Sequence, residues 1–279
     1  MPELPEVETI RRVIEPQIQG LVITRVTVAR PEVVAYPDAD EFCRRLIGAV
    51  IDGMVRRGKF LTILTDKERI ILHLRMTGCL LLAPAELLQE KHTHVIFGLS
   101  DGRELRFSDI RRFGRFWLLG KDEDDTYSGI GKLGVEPFDE ALTAQYLSVR
   151  FGKCKKAIKV CLLDQRVVAG IGNIYSDEIL FTAGIYPARP ANTLNPGEWK
   201  RLAAVIPDRI SYYIETNSIT AEEYLKTGGK EYRNTPFLQV YGHEGDPCPA
   251  CGNILCREVI GGRGSVFCPV CQKEEDYIR

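Results

Sequence analysis

The segment VVAGIGNIYSDEILFTAGI, residues 167–185, predicts a helix that begins directly after a tight glycine turn. Gly170 and Gly172 form the turn, and Asn173 is expected to cap the helix. Gly184 ends it. Backbone N–H groups at such a helix start, together with the positive end of the helix dipole, can bind an anion such as a phosphate. A helix–turn–helix hairpin without a ligand has the same pattern, so both interpretations stay open.

A basic run without acidic residues lies just upstream. It contains Arg150, Lys153, Lys155, Lys156 and Lys159. The whole chain has 279 residues and a formal net charge of −1, which by itself argues weakly against a nucleic-acid partner. A charge run is more often a solvated surface than a binding site, but a local basic face on a nearly neutral protein can still attract phosphates.

Downstream, the tail carries two Cys-Pro-x-Cys pairs, CPAC and CPVC, with 16 residues between them. Each pair can present two thiolates to one tetrahedral Zn²⁺ ion. Cys256 lies between the pairs without a second cysteine at that spacing, and we expect it to be a free, partly buried thiol. The predicted ligands of one structural zinc ion are therefore Cys248, Cys251, Cys268 and Cys271.

Between the cysteine pairs, the residues IGGRGSVF predict a β-hairpin with a glycine-rich tip. Arg263 is expected at that tip, either as a solvated turn residue or in contact with a phosphate. So short a tail has few apolar residues for a core, so zinc should supply its folding free energy.

Residues 21 to about 120 are predicted to form β-strands, with a hairpin turn at Asp101-Gly102. We interpret them as an antiparallel sandwich of two sheets behind an N-terminal helix, in which Val7, Ile10, Ile14 and Ile18 recur at helical spacing, and residues 120–134 as a polar linker. Helical patterns resume between about 139 and 225. Prolines interrupt them at Pro187, Pro190, Pro196 and Pro207.

The chain begins MPELPEVETIRR, so Pro2 becomes the amino terminus when the initiator Met is removed. An α-amino group has a pKa of about 7.7–8.0, and a secondary amine of this kind can attack a sugar C1′ and form an iminium. Glu3 could protonate the sugar ring oxygen and later accept a proton. Glu6 could act in the same chemistry or could only complement the helix dipole.

These blocks, in this order, resemble the formamidopyrimidine-DNA glycosylase and endonuclease VIII family of base-excision repair enzymes. The similarity extends over nearly the whole chain. It is carried by MPELPEVETIRR, KFL at 59–61, HLRMTG at 73–78, DIRRFG at 109–114, LLDQRVVAGIGNIYSDEILF at 162–181 and the four cysteines.

The resemblance implies an α+β fold in three parts. Residues 1–134 would be a catalytic β-sandwich domain with the N-terminal helix and linker, and residues 135–240 a helix-two-turns-helix DNA-binding domain. Residues 241–279 would be a four-cysteine zinc finger. The implied partner is double-stranded DNA with a damaged base or an abasic site, bound by a monomer. The zinc ion is structural and takes no part in the chemistry.

The resemblance also implies roles for single residues. Pro2, Glu3 and Lys59 would be catalytic, and Lys59, Lys159, Asn173 and Arg263 would contact phosphates. His73 is more often a satisfied strand histidine, but its position in the family suggests a phosphate or the active site. An apolar Met or Phe in a β-domain is usually core. The resemblance nevertheless implies that Met76, Arg111 and Phe113 are void-filling residues, which occupy the space that an extruded nucleotide leaves in the duplex.

For the substrate, RRF at 111–113 resembles the branch that removes oxidised purines. Residues 227–240 lie where the purine enzymes carry a base-capping loop but lack its expected pattern, so ring-opened purines are favoured over 8-oxoguanine. In that segment Lys230, Tyr232 and Arg233 could bind a base differently or not at all. The alternatives are an endonuclease VIII-type enzyme for oxidised pyrimidines and a non-catalytic lesion-binding zinc protein. A zinc-ribbon transcription factor would need only the tail.

The nine cysteines suggest metal binding before disulfides. No apolar stretch approaches 18 residues, and no basic-then-apolar leader is seen. We therefore expect a cytoplasmic protein that associates with the nucleoid by binding DNA.

Overall fold

The computed structural model describes residues 2–230 and 234–273, which form two compact units. Unit 1 is Met1–Lys132 with Asn217–Arg233, and unit 2 is Leu133–Thr216 with Asn234–Arg279. The two units divide at residue 132, near the end of the predicted linker. The cysteine tail lies in the same unit as the helices, and Asn217–Arg233 is assigned to unit 1. The three-part division stays a prediction.

Unit 1 contains two sheets. The five-stranded sheet has the order β2-β9-β5-β4-β3, and the four-stranded sheet has the order β1-β7-β8-β6. The strands are β1 (Ile23–Val28), β2 (Val34–Tyr36), β3 (Ile51–Arg57), β4 (Phe60–Thr65), β5 (Glu68–His73), β6 (Gly78–Pro84), β7 (Thr93–Leu99), β8 (Arg103–Asp109) and β9 (Arg115–Gly120).

The N-terminal helix α1 (Leu4–Ile18) packs on the sheets through an apolar face. Its residues at helical spacing, Val7, Ile10, Ile14 and Ile18, are fully buried, as the periodicity predicted. The aromatic residues Phe42, Phe97, Phe107 and Phe116 belong to the same core. Burial of this face fixes the start of the chain against a rigid scaffold.

Two features of unit 1 differ from the sequence prediction. Strand β2 pairs with β9 in parallel, so the five-stranded sheet is mixed rather than purely antiparallel. A helix that was not predicted, α2 (Ala39–Leu46), follows β2. Its start is capped by Asp38, which accepts a hydrogen bond from the Glu41 N–H at 2.9 Å. Phe42 and Leu46, one turn apart, bury its inner face.

Residues 217–230 belong to unit 1 because the short helix α7 (Ala221–Lys226) is fixed to it. The Tyr224 ring is buried, and its hydroxyl donates to the Leu80 carbonyl at 2.9 Å. Just before the helix, the Asn217 amide donates to the Thr9 hydroxyl of α1 at 3.0 Å.

Unit 2 contains helices and the predicted hairpin. Its helices are α3 (Ala144–Phe151), α4 (Ile158–Leu162), α5 (Asn173–Ala183) and α6 (Pro196–Thr216), and its strands are β10 (Cys256–Ile260) and β11 (Arg263–Phe267). Pro207 was predicted to interrupt the helical pattern, but α6 continues through it. A proline removes one hydrogen bond from the helix, and the buried residues Leu202, Ile206 and Ile210 hold the helix together on both sides of it.

Within the described residues, no helix is long and apolar enough to cross a membrane.

The link between α1 and β3 leads to a test of stability. Glu8 accepts hydrogen bonds from Arg11 and Arg12 and forms an ion pair with Arg56 of β3 at 3.2 Å. Burial alone would raise the pKa of Glu8, but these hydrogen bonds and positive charges lower it to about 2.

We expect Glu8→Gln to reduce the free energy of unfolding at pH 7 by about 2 kcal/mol, since it removes hydrogen bonds to a charged group. The lowered pKa means that the contribution of Glu8 is complete above about pH 4.5 and decreases as the pH falls towards 2. Urea denaturation at pH 7 and pH 3 should therefore show the difference from wild type shrinking in acid. Glu32→Gln, at an exposed pair with Arg112, is the control and should change little. An equal effect of Glu8→Gln at both pH values would contradict the expectation.

Candidate functional site

The start of α1 holds Pro2 and two buried carboxyl groups. Glu3 occupies the N-cap position, and its backbone N–H donates to the Glu6 carboxylate at 2.8 Å. Glu3 and Glu6 are 2% and 3% exposed, and Pro2 is buried as well. The structure thus gives Glu6, whose role the sequence left open, a defined task. It fixes the backbone of the residue that follows Pro2.

Lys59 and His73 lie on neighbouring strand ends of the five-stranded sheet. Both are buried, at 7% exposure each, so Lys59 is not a solvated surface lysine. Nδ1 of His73 accepts the Arg75 N–H at 3.0 Å. Burial first, and then the positive charges of Arg75 and Lys59, lower the pKa of His73 to about 3. His73 is therefore neutral at neutral pH, and the remaining ring nitrogen, Nε2, carries the proton that it can donate.

The predicted void-filling residues lie on two tips that join strands in unit 1. The first tip (residues 75–77) carries Met76, and the second tip (residues 110–114) carries Arg111 and Phe113. Met76 and Phe113 are 41% and 47% exposed, so neither is a core residue. The Arg111 guanidinium lies 4.8 Å from the centre of the Phe113 ring. In both tips the arginine just before the apolar residue, Arg75 or Arg112, has a left-handed φ of 57°.

The buried carboxylate of Asp109 holds both tips, a role that sequence reasoning missed. Its Oδ1 accepts the Thr77 hydroxyl of the first tip and the Arg111 N–H of the second, the latter at 3.1 Å. Its Oδ2 accepts the Gly114 N–H at 2.8 Å. Asp109 is 1% exposed, so these bonds replace its hydration completely. The available signal was an acid at a strand end, directly before a tip that ends in glycine.

In unit 2, the glycine turn and the hairpin meet. The N-cap of α5 is Gly172, not Asn173 as predicted, and Asn173 is the first helical residue. The Asn173 side chain therefore does not cap the helix, and its Nδ2 donates to the Gly264 carbonyl at 3.2 Å. The neighbouring residue, Arg263, is exposed and begins β11 immediately after the Gly261-Gly262 turn. Both turn glycines have positive φ, 58° and 77°, as a tight hairpin turn requires.

The structure corrects the predicted phosphate contact of Lys159. Its side chain is 0% exposed, so it does not present its ammonium group at the surface. Nζ instead donates to Asp177 Oδ1 at 2.6 Å and to the Gly264 carbonyl at 3.1 Å. Burial raises the pKa of Asp177 to about 6, although Lys159 acts in the opposite direction. The rest of the basic run is exposed, namely Arg150, Lys153, Lys155 and Lys156.

The four predicted zinc ligands come together in unit 2. Their sulfur atoms all lie within 4.8 Å of one another, with 3.9 Å between Cys248 and Cys271 and 3.4 Å between Cys251 and Cys268. A tetrahedral zinc ion with bonds of about 2.3 Å places its sulfur ligands about 3.8 Å apart, so the four thiolates fit one Zn²⁺. Cys256 lies outside this cluster and is exposed rather than partly buried.

Family models match three successive parts of the chain. They are the formamidopyrimidine-DNA glycosylase N-terminal domain over residues 1–116, the H2TH domain of the same enzymes over residues 133–224, and the zinc finger found in FPG and IleRS over residues 245–273. The chain belongs to the formamidopyrimidine-DNA glycosylase family. Membership makes it a DNA glycosylase of base-excision repair with a structural zinc site.

Relatives and solved structures agree with this family over their full length. Formamidopyrimidine-DNA glycosylases from Pelotomaculum thermopropionicum and Geobacillus kaustophilus are 44% and 43% identical to the chain, over 98% of it and 99% and 100% of their own lengths. Lactococcus lactis Fpg in complex with abasic-site DNA is 33% identical with a TM-score of 0.88 and covers 98% of this chain. The matched Lactococcus lactis chain is covered completely, and further complexes of it contain Fapy-dG or an oxidised pyrimidine.

We expect zinc removal to unfold the tail of this glycosylase and leave unit 1 folded. The apolar cluster beside the four cysteines includes two of the predicted ligands, Cys248 and Cys268. When zinc is removed, the four thiolates repel one another and move apart, and the packing of this cluster is lost with them. Hydrogen exchange after chelation should show protection lost across residues 256–267 and kept in β4 and β5. Cys268→Ser should reproduce the loss and Cys256→Ser should not. Retained protection in the hairpin without zinc would contradict the expectation.

We expect Asp109→Asn to loosen the link between the tips, because Asn keeps one acceptor oxygen while bonds to both carboxylate oxygens are needed: Gly114 N–H donates to one, and the Thr77 hydroxyl and Arg111 N–H donate to the other. The free energy of unfolding should fall by about 1–3 kcal/mol. The rate of damaged-base excision should fall more than the rate of strand cleavage at an abasic site, because extruding an abasic sugar loses less base stacking. Single-turnover rates on the two duplexes measure this split, with Asp101→Asn in an exposed turn as the control. Equal loss on both duplexes would mean that Asp109 has only a general structural role.

Proposed function

We propose that this protein is a bifunctional glycosylase and abasic-site lyase that removes oxidised purines, formamidopyrimidines foremost, from double-stranded DNA. The observation that carries the proposal is the buried Pro2-Glu3 start of α1, with its backbone fixed by Glu6. Removal of the initiator Met exposes a secondary amine at a fixed position. A DNA-binding protein without catalysis has no need of this arrangement.

In the proposed reaction, the unprotonated Pro2 nitrogen attacks C1′ of the damaged nucleotide. The C1′–N glycosidic bond breaks, and the base leaves with the proton that the Pro2 nitrogen gives up once it is bonded to C1′. Glu3 donates a proton to the ring oxygen O4′ as the sugar opens, which leaves an iminium between Pro2 and C1′. The iminium acidifies the C2′ proton. The Glu3 carboxylate, which has given its proton to O4′, accepts the C2′ proton as the 3′ phosphate leaves by β-elimination, and δ-elimination then releases the 5′ phosphate. Water hydrolyses the iminium and frees Pro2.

Lys59 and His73 support this chemistry in different ways. A buried ammonium group at Lys59 favours the neutral form of a nearby amine and attracts phosphate oxygens. His73 is held neutral, so it can donate a hydrogen bond from Nε2 to a phosphate without carrying a charge. Both roles are inferred from burial and charge, and both serve the proposed Pro2 reaction.

The exposed Met76, Phe113, Arg111 and Arg263, together with the half-buried Asn173, supply the proposed DNA contacts. Met76 and Phe113 would fill the space of the extruded nucleotide, and Arg111, a planar donor, would pair with the orphaned base. In unit 2, Asn173 and Arg263 would contact phosphates beside the exposed basic run. We infer a monomer that acts on the bacterial nucleoid in the cytoplasm.

The lesion preference is less sharply defined than the chemistry. Gly228 and Gly229 begin the segment that differs from a base-capping loop, and both of their carbonyls accept from the Cys79 thiol at 3.3 Å. Burial raises the pKa of Cys79 to about 12, so the thiol keeps the proton that it donates. Lys230 is paired with Glu90 at 2.5 Å, and Tyr232 and Arg233 lie outside the described residues. Oxidised pyrimidines are a second candidate, since a Lactococcus lactis Fpg structure contains one.

Borohydride trapping on an abasic-site duplex tests the proposed nucleophile. Wild-type protein, with Met1 removal verified by intact mass, should become covalently joined to DNA. Pro2→Ala should trap at least about 100-fold more slowly, because the fixed secondary amine is lost. Pro16→Ala, which changes an exposed proline of α1, is the control and should trap like wild type. Full-rate trapping by Pro2→Ala, or no adduct with the wild type, would overturn the proposal.

Excision from duplexes with a formamidopyrimidine, 8-oxoguanine or thymine glycol should separate the lesion classes. We expect the formamidopyrimidine to be removed fastest. A higher rate on thymine glycol would favour the pyrimidine alternative without affecting the role of Pro2.

A further inference from the structure

We propose that the buried ion pair of Lys159 and Asp177 positions Arg263 and Asn173 for DNA binding, by holding the outer edge of β11. Lys159 and Asp177 are thus positioning residues rather than DNA contacts. The inference rests on the proposed phosphate contacts of Arg263 and Asn173 and explains what places them side by side.

The Gly264 carbonyl is the common point of the arrangement. It accepts a hydrogen bond from Lys159 Nζ at 3.1 Å and another from Asn173 Nδ2 at 3.2 Å. Gly264 directly follows Arg263 in the chain. One backbone oxygen therefore fixes the side chain at the start of α5 and the backbone next to the hairpin arginine.

Asp177 completes the contact with the strand. Its Oδ1 binds Lys159 Nζ at 2.6 Å, and its Oδ2 accepts the Val266 N–H at 3.1 Å. Backbone groups of alternate residues point to the same side of a strand, so Gly264 and Val266 present theirs to the edge opposite β10. The ion pair satisfies one acceptor and one donor on that edge, much as a third strand would.

The hairpin turn also packs closely on the helix that carries Lys159. A Cβ atom added at Gly261, where φ is +58°, would lie 2.5 Å from Val160 Cγ2. The turn and the edge of β11 are thus both fixed against residues 159–160. A shift of the strand along its axis would break both sets of contacts.

The energetics favour a role in positioning over a role in stability. Both side chains are 0% exposed, and an ion pair removed from water gains little net stability compared with apolar residues of similar volume. Apolar residues could fill the same space. They could not donate to the Gly264 carbonyl or accept the Val266 N–H.

The test measures affinity for a duplex with a non-cleavable tetrahydrofuran abasic-site analogue over a range of salt concentrations. Arg263→Ala should weaken binding about 10-fold and reduce the salt slope by about one phosphate contact. The double variant Lys159→Met with Asp177→Leu should stay folded with the wild-type zinc content and a Tm lower by a few degrees, since the Val266 N–H loses its acceptor, and it should bind about 10-fold more weakly. Adding Arg263→Ala to it should cause much less than a further 10-fold loss, because both changes act through the same contact.

Lys156→Met is the matched control, since it removes an exposed charge from the same basic run. Lys156→Met should reduce the affinity only slightly. Its effect should be independent of Arg263→Ala, so that the two fold-changes in affinity multiply in the combined variant. If the double variant binds like wild type, or if its effect multiplies fully with that of Arg263→Ala, the inference is wrong. If Arg263→Ala itself leaves affinity and salt slope unchanged, the proposed contact at Arg263 fails instead, which separates the two failures.

Discussion

The rest of the structure depends on the way the first turn of α1 is held. Four apolar residues of the helix are fully buried, and the Glu3 N–H is bonded to the carboxylate of Glu6. A terminal amine on a free chain end would sample many positions. Here the residue after it is fixed by a backbone hydrogen bond on a helix that the core holds in place. Glu8 continues the same role along the helix by joining it to β3 through Arg56.

In both units, a buried carboxylate holds the backbone next to residues proposed to contact DNA. In unit 1, Asp109 joins two tips, so that the exposed Met76 and Phe113 stand on backbone that cannot move independently. In unit 2, Asp177 acts through Lys159 on the edge of β11. In each case the carboxylate accepts backbone N–H groups directly, and such bonds are stronger and more directional than contacts between flexible side chains.

The sequence predicted features that are encoded locally. The buried stripe of α1, the cysteine pairs, the glycine turn at the hairpin and the end of α5 at Gly184 all follow from residue type and spacing. The short helix α2 was missed because two prolines, at 31 and 37, precede it closely, although Asp38 marks its start. The parallel pairing of β2 was missed because its partner β9 lies about 80 residues away, and no local pattern encodes that direction.

The candidate site was predicted in its residue types and less well in its contacts. A lysine in a basic run looks exposed, but Lys159 is buried, with its ammonium group bonded to Asp177 and to the Gly264 carbonyl, both distant in sequence. Glu6 accepts the N–H of the residue three positions before it, a capping-box pattern that the sequence contains. Asp109 also binds nearby N–H groups, but its contact with the Thr77 hydroxyl, 32 residues away, could not be read from the sequence.

The left-handed backbone at Arg75 and Arg112 has one further consequence. Each such residue carries an intrinsic conformational cost of about 1–2 kcal/mol, which glycine would avoid. Glycine would also let each loop relax into several shapes. The protein therefore gives up some stability of its fold to hold the backbone under the exposed Met76 and Phe113, the two residues proposed to enter the duplex, in a single conformation.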